Sequence, residues 1–399
     1  MRTDHLKEEL TNLRREFHSN PELNFDVHET SSRVINLLND FGLEVHKNIG
    51  RTGVVGVLKK GTSKKSIGIR ADMDALPVTE NNDFLYKSKH VGKMHACGHD
   101  GHITMALGAA KQLSQNENFD GTVFFIFQPD EEATEGAKAM INDGLFNKFS
   151  IDEIYAFHNM PGMELGTFAT RSGAITGSES LFKIELKGSG GHSALPHMGV
   201  DTITVGTQII NALQSIVSRK INPAVNGVLS VTEFITDGSK NILPGNAIIS
   251  GDTRALSEES NQIMKESMKR IVNGIASAHN IDATCEYHTQ TNMTVNSLKQ
   301  SKFATSVAES LVGINLVDGD CEPKLFSEDF SEMLMVKPGC YILIGNGLNG
   351  SNAKSLHSSD YDFNDDLLVT GSSFWTELVL QGLKSVSYTH LTLPTILLV

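Results

Sequence analysis

Apolar residues recur at helical spacing in Leu6 to Phe17 and again in Ser31 to Phe41, which predicts two opening helices, the second stopped by Gly42. The period then changes. Thr52 to Lys59 (TGVVGVLK) and Ser66 to Asp72 (SIGIRAD) are β-rich runs parted by a Gly/Ser/Lys turn, which predicts two strands. Ile103 to Leu113 reads as a helix, Thr122 to Phe127 (TVFFIF) as a buried strand, Glu135 to Leu145 as a helix and Ile151 to Phe157 (IDEIYAF) as a strand. Apolar strands alternating with short helices predict an α/β fold around a largely parallel sheet.

From Gly177 the texture is different. Leu181 to Gly188, Gly227 to Phe234, Asn246 to Arg254 and Asp282 to His288 read as strands, while Val200 to Ser218 and Glu258 to His279 carry long helical patterns. That order predicts an inserted α+β sandwich of the ferredoxin-like kind. Between Lys299 and Leu383 a helix, a strand at Cys340 to Ile344 and a last helix at Asp366 to Leu380 complete the first domain. The expected organisation is a first domain in two parts, residues 1–177 and 289–384, around an insertion at residues 178–288. The last segment, residues 385–399 (SVSYTHLTLPTILLV), has no Asp, Glu, Lys or Arg and is read as a non-native or disordered appendage.

Composition narrows the function classes. Lys plus Arg is 34 and Asp plus Glu 47, so the charge is 34 − 47 = −13, a field that works against a nucleic-acid partner. The four cysteines, Cys97, Cys285, Cys321 and Cys340, are too sparse for a disulfide scaffold and read as reduced thiols. The charged N-terminus lacks a signal-peptide core, and no run approaches the ~20 apolar residues of a membrane span. A cytoplasmic protein without membrane contact is expected.

The chemistry follows the strands. Asp72 and Asp74 end SIGIRADMD, Glu131 and Glu132 follow TVFFIF, and His158 follows IDEIYAF. In an open α/β sheet ligands bind beyond the carboxyl ends of the strands. Each residue also has a plainer role as a cap or a helix-starting acid. The densest cluster is His95-Ala-Cys97-Gly-His99-Asp100-Gly-His102, whose donors suit a transition metal and whose glycines let the chain curl around one ion. A nucleophilic Cys97 is the other reading, and it needs an activating base. The Glu131-Glu132 pair favours metal-assisted hydrolysis, with one carboxylate ligating and its neighbour free as a base.

Seven strings, RADMDALP, HACGHDGH, QPDEE, FHNMP, GGHSALPH, FSEDFS and LHSSDYDFND, occur in this order and together resemble the bacterial aminoacylases, hippurate hydrolases and plant auxin-conjugate hydrolases. These are dinuclear metallo-amidohydrolases related to the zinc exopeptidases. The resemblance implies a zinc-exopeptidase-like catalytic domain with an inserted lid or dimerisation domain. It implies two divalent ions, Mn²⁺ or else Zn²⁺, Co²⁺ or Ni²⁺, bridged by Cys97, with Glu132 and His357 completing one site and His99 and His158 the other. Glu131 is then the general base, and Asp74 orients a ligand or simply caps its strand. His192 corresponds to a histidine that reaches a partner subunit's active site as an oxyanion donor, and Asn241 and Arg254 to residues that hold a substrate carboxylate. From its own surroundings His192 reads equally as a surface turn residue, and Arg254 as half of a strand-face salt bridge. The implied activity is amide hydrolysis of N-acyl-L-amino acids by a homodimer or higher homo-oligomer. A dipeptidase or an N-acetyl-diaminopimelate deacetylase of the same fold is the alternative, and a non-catalytic metal-binding regulatory relative a further one.

Overall fold

The computed structural model describes residues 6–115 and 118–384; the segment expected to be an appendage, residues 385–399, lies outside the described residues. Strands β1 (Glu44–Ile49), β2 (Gly53–Lys60), β3 (Ser66–Asp72), β4 (Gly121–Gln128) and β5 (Glu153–Pro161) lie in the order β1-β2-β4-β3-β5. The sheet continues through Gly339–Gly347, Phe168–Ala169 and Val317–Asp318 to eight strands. Its centre, from β4 to Gly339–Gly347, is parallel, whereas β1, β2 and β4 pair antiparallel. The result is a mixed sheet with a parallel heart.

The apolar run of β4 explains why both faces are covered. Val123, Phe125 and Phe127 point into one core, shared with helices α1 (Lys7–Ser19), α2 (His28–Asp40), α3 (His99–Ser114) and the C-terminal helix Leu367–Gly382. Phe124 and Ile126 point into the other, with Met140 of Gly136–Asn142 and Met333 of Phe330–Val336. Alternation at period two thus feeds two cores from one strand. On the first face Phe157 stacks on Trp375 with ring centroids 4.3 Å apart.

A third, separate core lies under a four-stranded antiparallel sheet ordered Gly227–Thr236, Asn246–Ala255, Ser178–Lys187 and Asp282–Thr291. Phe182, Ile184 and Leu186 face helices Thr202–Arg219 and Glu258–Ala278, and Leu181, Lys183 and Lys187 face water. Both helices start on side-chain caps: Asp201 accepts from the Ile203 amide at 2.9 Å and Ser257 from the Ser260 amide at 3.1 Å.

Two details differ from the sequence reading. The polar run EVHKNI forms the edge strand β1, which pairs with β2 and sets Val45 against one core and Ile49 in the other. The helix expected over Glu135–Leu145 breaks at Gly144, whose φ of +87° restarts it as Leu145–Lys148.

Candidate active site

The strand ends and one helix start build the site. At the head of α3, Gly98 has φ +98° and sits so close to Asn159 that a Cβ would strike that side chain, so only glycine lets the chain turn here. The turn aims Cys97 and His99 inward, and both are buried. Cys97 Sγ lies 3.2 Å from His158 Nε2 at the end of β5. His99 Nδ1 donates to the Asp74 carbonyl at 2.8 Å, which leaves Nε2 facing Asp72, Glu131 and Glu132 at 3.7, 3.8 and 3.9 Å.

The acid pair is set by one side chain. The two carboxylate oxygens of buried Asp74 accept the amide hydrogens of Glu131 and Glu132, at 3.0 and 3.1 Å. This clamp follows Asp130, a non-glycine residue at φ +56°. His357, also left-handed at φ +64°, is tied by its amide to the Ala96 carbonyl and brings Nε2 to 3.5 Å from Glu132.

Two overlapping donor groups result. Cys97, His99 and His158 form one and Cys97, Glu132 and His357 the other, with the candidate ligand atoms of each within 4.8 Å of one another. His99 Nε2 and Glu132 Oε1 are buried and have no hydrogen-bond partner among the described residues. Unpaired buried donors and acceptors are costly, and here they face the same space. The electrostatics point the same way. Burial disfavours a charged His99 ring, yet Asp72, Asp74 and Glu132 outweigh it and hold its pKa up at about 10. Burial, with Glu132 and Glu131 adding to it, drives the Cys97 thiol well up, and burial pushes Glu132 up to about 7. Burial, helped by His102, keeps the His158 ring neutral. Divalent cations reverse each of these penalties, so the residues present fit a pair of metal ions.

A cavity of about 750 Å³ opens over this cluster. Cys97, Glu131, Glu132, His158 and His357 form its floor, Met160, Leu325, Phe326 and Leu356 supply apolar wall, and Arg254, Glu179 and Ser327 stand at the side toward the second sheet.

Residues 68–381 match the profile of Peptidase family M20/M25/M40. The chain belongs to this family. It is 42% identical over 379 residues to the hippurate hydrolase of Campylobacter jejuni subsp. jejuni, covering 95% of this chain and 98% of that protein. It is 37% identical over 366 residues to thermostable carboxypeptidase 2 of Saccharolobus solfataricus, covering 90% and 92%. Among solved structures, the YXEP protein of Bacillus subtilis, described as a dinuclear metal binding peptidase from the M20 family, superposes with a TM-score of 0.84 at 29% identity over 95% of this chain and 99% of that one. The protein is therefore a metallo-amidohydrolase of the M20 peptidase fold.

Within this M20 enzyme the residues singled out from sequence fall into two places. Cys97, His99, Glu131, Glu132, His158 and His357 converge, with Asp74 behind them. Arg254 lies on the cavity wall and is also salt-bridged, to Glu179 at 2.7 Å and to Asp252 at 2.8 Å. His192 and Asn241 are exposed on the ribbon formed by Gly191–His192 and Ile242–Leu243, and neither lines the cavity. The other histidines of HACGHDGH turn away. His102 is pinned between Asp72, at 2.7 Å, and Asn159, at 2.9 Å, while His95 is buried without a hydrogen-bond partner among the described residues, its pKa pressed down to about 4 by burial.

Sequence reasoning quoted FSEDFS without assigning it chemistry. Arg70 gathers this segment under the site, binding Asp72 at 2.7 Å, Asp329 at 2.9 Å and Glu328 at 3.0 Å. Tyr341, from the strand beyond β5, donates to Glu328 at 2.7 Å. An Arg ending an apolar strand in the string RADMD was the available signal, since a buried guanidinium demands carboxylates.

Proposed function

We propose that this metallo-amidohydrolase cleaves the amide bond of N-acyl-L-amino acids. The observation that carries the reading is the pair of donor groups sharing Cys97, with Glu131 beside them on the cavity floor. Cys97 would be shared between two sites, completed by His99 and His158 and by Glu132 and His357. Bound there, two divalent cations, with Mn²⁺ favoured over Zn²⁺, Co²⁺ or Ni²⁺, supply Lewis acidity and ease the ionisation of water.

The chain does the rest. Glu131 takes a proton from the attacking water, whose oxygen joins the acyl carbon, and returns it to the nitrogen as the C–N bond breaks. Burial, reinforced by Glu328 and Glu132, raises the Glu131 carboxyl well above its usual range, and bound cations would offset that rise and leave it the carboxylate that accepts the proton. Arg254 and Asn241 would hold the substrate carboxylate. His192 would donate to the developing oxyanion from a second subunit, with residues 178–288 as lid and dimerisation domain and residues 1–177 and 289–384 as the catalytic domain. Its exposed position away from the cavity of its own chain supports that arrangement. No described helix is long and apolar enough to cross a membrane, and a cytoplasmic location is part of the proposal.

The test is a panel of N-acyl amino acids, free-amine dipeptides and N-acetyl-diaminopimelate, read by release of free amine before and after chelation and metal return. Preferred turnover of N-acyl amino acids, lost on chelation, is expected. Preference for dipeptides or N-acetyl-diaminopimelate moves the reading to the alternative substrates. Chelator-insensitive activity blocked by thiol alkylation would replace it with a Cys97 nucleophile.

A further inference from the structure

Arg254 is not a free cation. Its Nε donates to Asp252 at 2.8 Å, its Nη2 to Glu179 at 2.7 Å and its Nη1 to Ser327 at 3.1 Å. Ser327 in turn donates to the second oxygen of Glu179 at 2.9 Å. Glu179 and Arg254 are directly opposed across neighbouring antiparallel strands, and Ser327 reaches them from the segment leading into Phe330–Val336. All three line the cavity that holds Cys97 and Glu131.

A guanidinium receives a carboxylate best along one edge, through two parallel N–H groups. Here the Nη1 and Nη2 groups are already spanned, and one partner is itself a carboxylate. We infer that Glu179 is a specificity-determining residue, a resident competitor that occupies Arg254 until the carboxylate of an N-acyl amino acid displaces it. The inference rests on the substrate reading above and goes further, because it names the group against which the substrate must bind.

Two consequences follow from the chemistry. An anionic ligand must expel Glu179 and break its bond to Ser327, so binding of the carboxylate is weakened. A neutral amide of the same shape brings no charge to set against Glu179 and only one acceptor oxygen for Arg254, so its binding depends far less on Glu179. The side chains of Arg254 and Glu179 are 24% and 21% exposed, so the exchange takes place at the wet mouth of the cavity, where one ion pair replaces another at small net cost.

The test uses the metal-loaded protein in a Glu131→Gln background, so that ligands bind without turnover, with calorimetric titration of N-benzoylglycine and of its uncharged amide. Glu179→Gln is expected to tighten N-benzoylglycine by about five- to tenfold, the scale of one exposed to half-buried ion pair, and to leave the amide within about twofold. In an Arg254→Gln background the same substitution is expected to do nothing, which separates competition for Arg254 from a general change of field. Ser327→Ala, which loosens Glu179 without touching its strand, should shift the carboxylate-to-amide ratio in the same direction and decides the matter if Glu179→Gln does not fold. Unchanged or weaker N-benzoylglycine binding, an equal gain by the amide, or a gain that survives loss of Arg254 overturns the competitor role and leaves the substrate reading standing. Failure of N-benzoylglycine to bind any of these proteins removes both.

Discussion

The floor of the cavity and the exposed two-stranded ribbon carry residues from the same set of motifs, yet the protein treats them in opposite ways. On the floor, Cys97, His99 and Glu131 are buried and held by a glycine turn, the Asp74 clamp and the Arg70 cluster. On the ribbon, His192 and Asn241 are exposed, and the local contacts are the Ala194 amide donating to His192 Nδ1 and the Ser193 amide donating to the Asn241 carbonyl. The lesson is a division of labour. Groups proposed to handle metal and proton are positioned within one chain before substrate arrives, while His192 and Asn241, proposed to meet the oxyanion and to share the carboxylate with Arg254, stand exposed away from the cavity lining.

The largest expected effect strikes the floor. Glu131→Gln should cut turnover by about 10²–10⁴, the usual worth of a general base, while metal content by elemental analysis stays at the wild-type level. A variant that loses metal in step with activity would mean that Glu131 holds the ions rather than moving a proton.

His192→Ala sharpens the contrast from the other side. A loss of about 10²–10³ in kcat is expected, with unchanged melting temperature and metal content, because the side chain is exposed and removed from the cluster. If stability or metal content falls with it, the division drawn here between prepared floor and waiting ribbon is wrong.

Asp74→Asn comes next. An amide cannot accept from two N–H groups as a carboxylate does, so one of the Glu131 and Glu132 amides loses its partner, at a cost of about 1–3 kcal/mol in stability by denaturant titration. Metal affinity should weaken as well, since Glu132 belongs to one donor group.

The smallest effect is a pH dependence at a histidine that does not line the cavity. His18 is buried between Asp100, at 2.8 Å, and Glu80, at 3.2 Å. Burial alone would lower its pKa, but these acids raise it to about 9 from 6.5. A raised histidine stabilises the fold fully below about pH 6.5 and loses that contribution as the pH climbs through about 9. The melting temperature should decline across this window, and His18→Gln should flatten the decline.

Much of the floor was legible in the sequence because its residues stand at the ends of apolar strands or in one dense string. TVFFIF announces a strand buried on both faces, and QPDEE must then emerge at its carboxyl end beside SIGIRAD and IDEIYAF. What sequence could not supply is selection among like groups. HACGHDGH offers three histidines, and only the turn at Gly98 decides that His99 faces Cys97 and Glu132 while His102 faces Asp72 and Asn159. Nor could local pattern pair Arg70 with Asp329, 259 positions away, or Glu179 with Ser327, 148 away. The two-residue strands Phe168–Ala169 and Val317–Asp318 are too short to carry any period.

The Asp74 clamp has a mechanical consequence. Because one rigid carboxylate grips the backbone at both Glu131 and Glu132, the proposed proton carrier and the proposed ligand are anchored to one fixed point at the end of β3. The spacing of the two backbones is then set at the end of the first sheet, so a substitution in the four-stranded sheet can alter what reaches the pair without altering the pair itself.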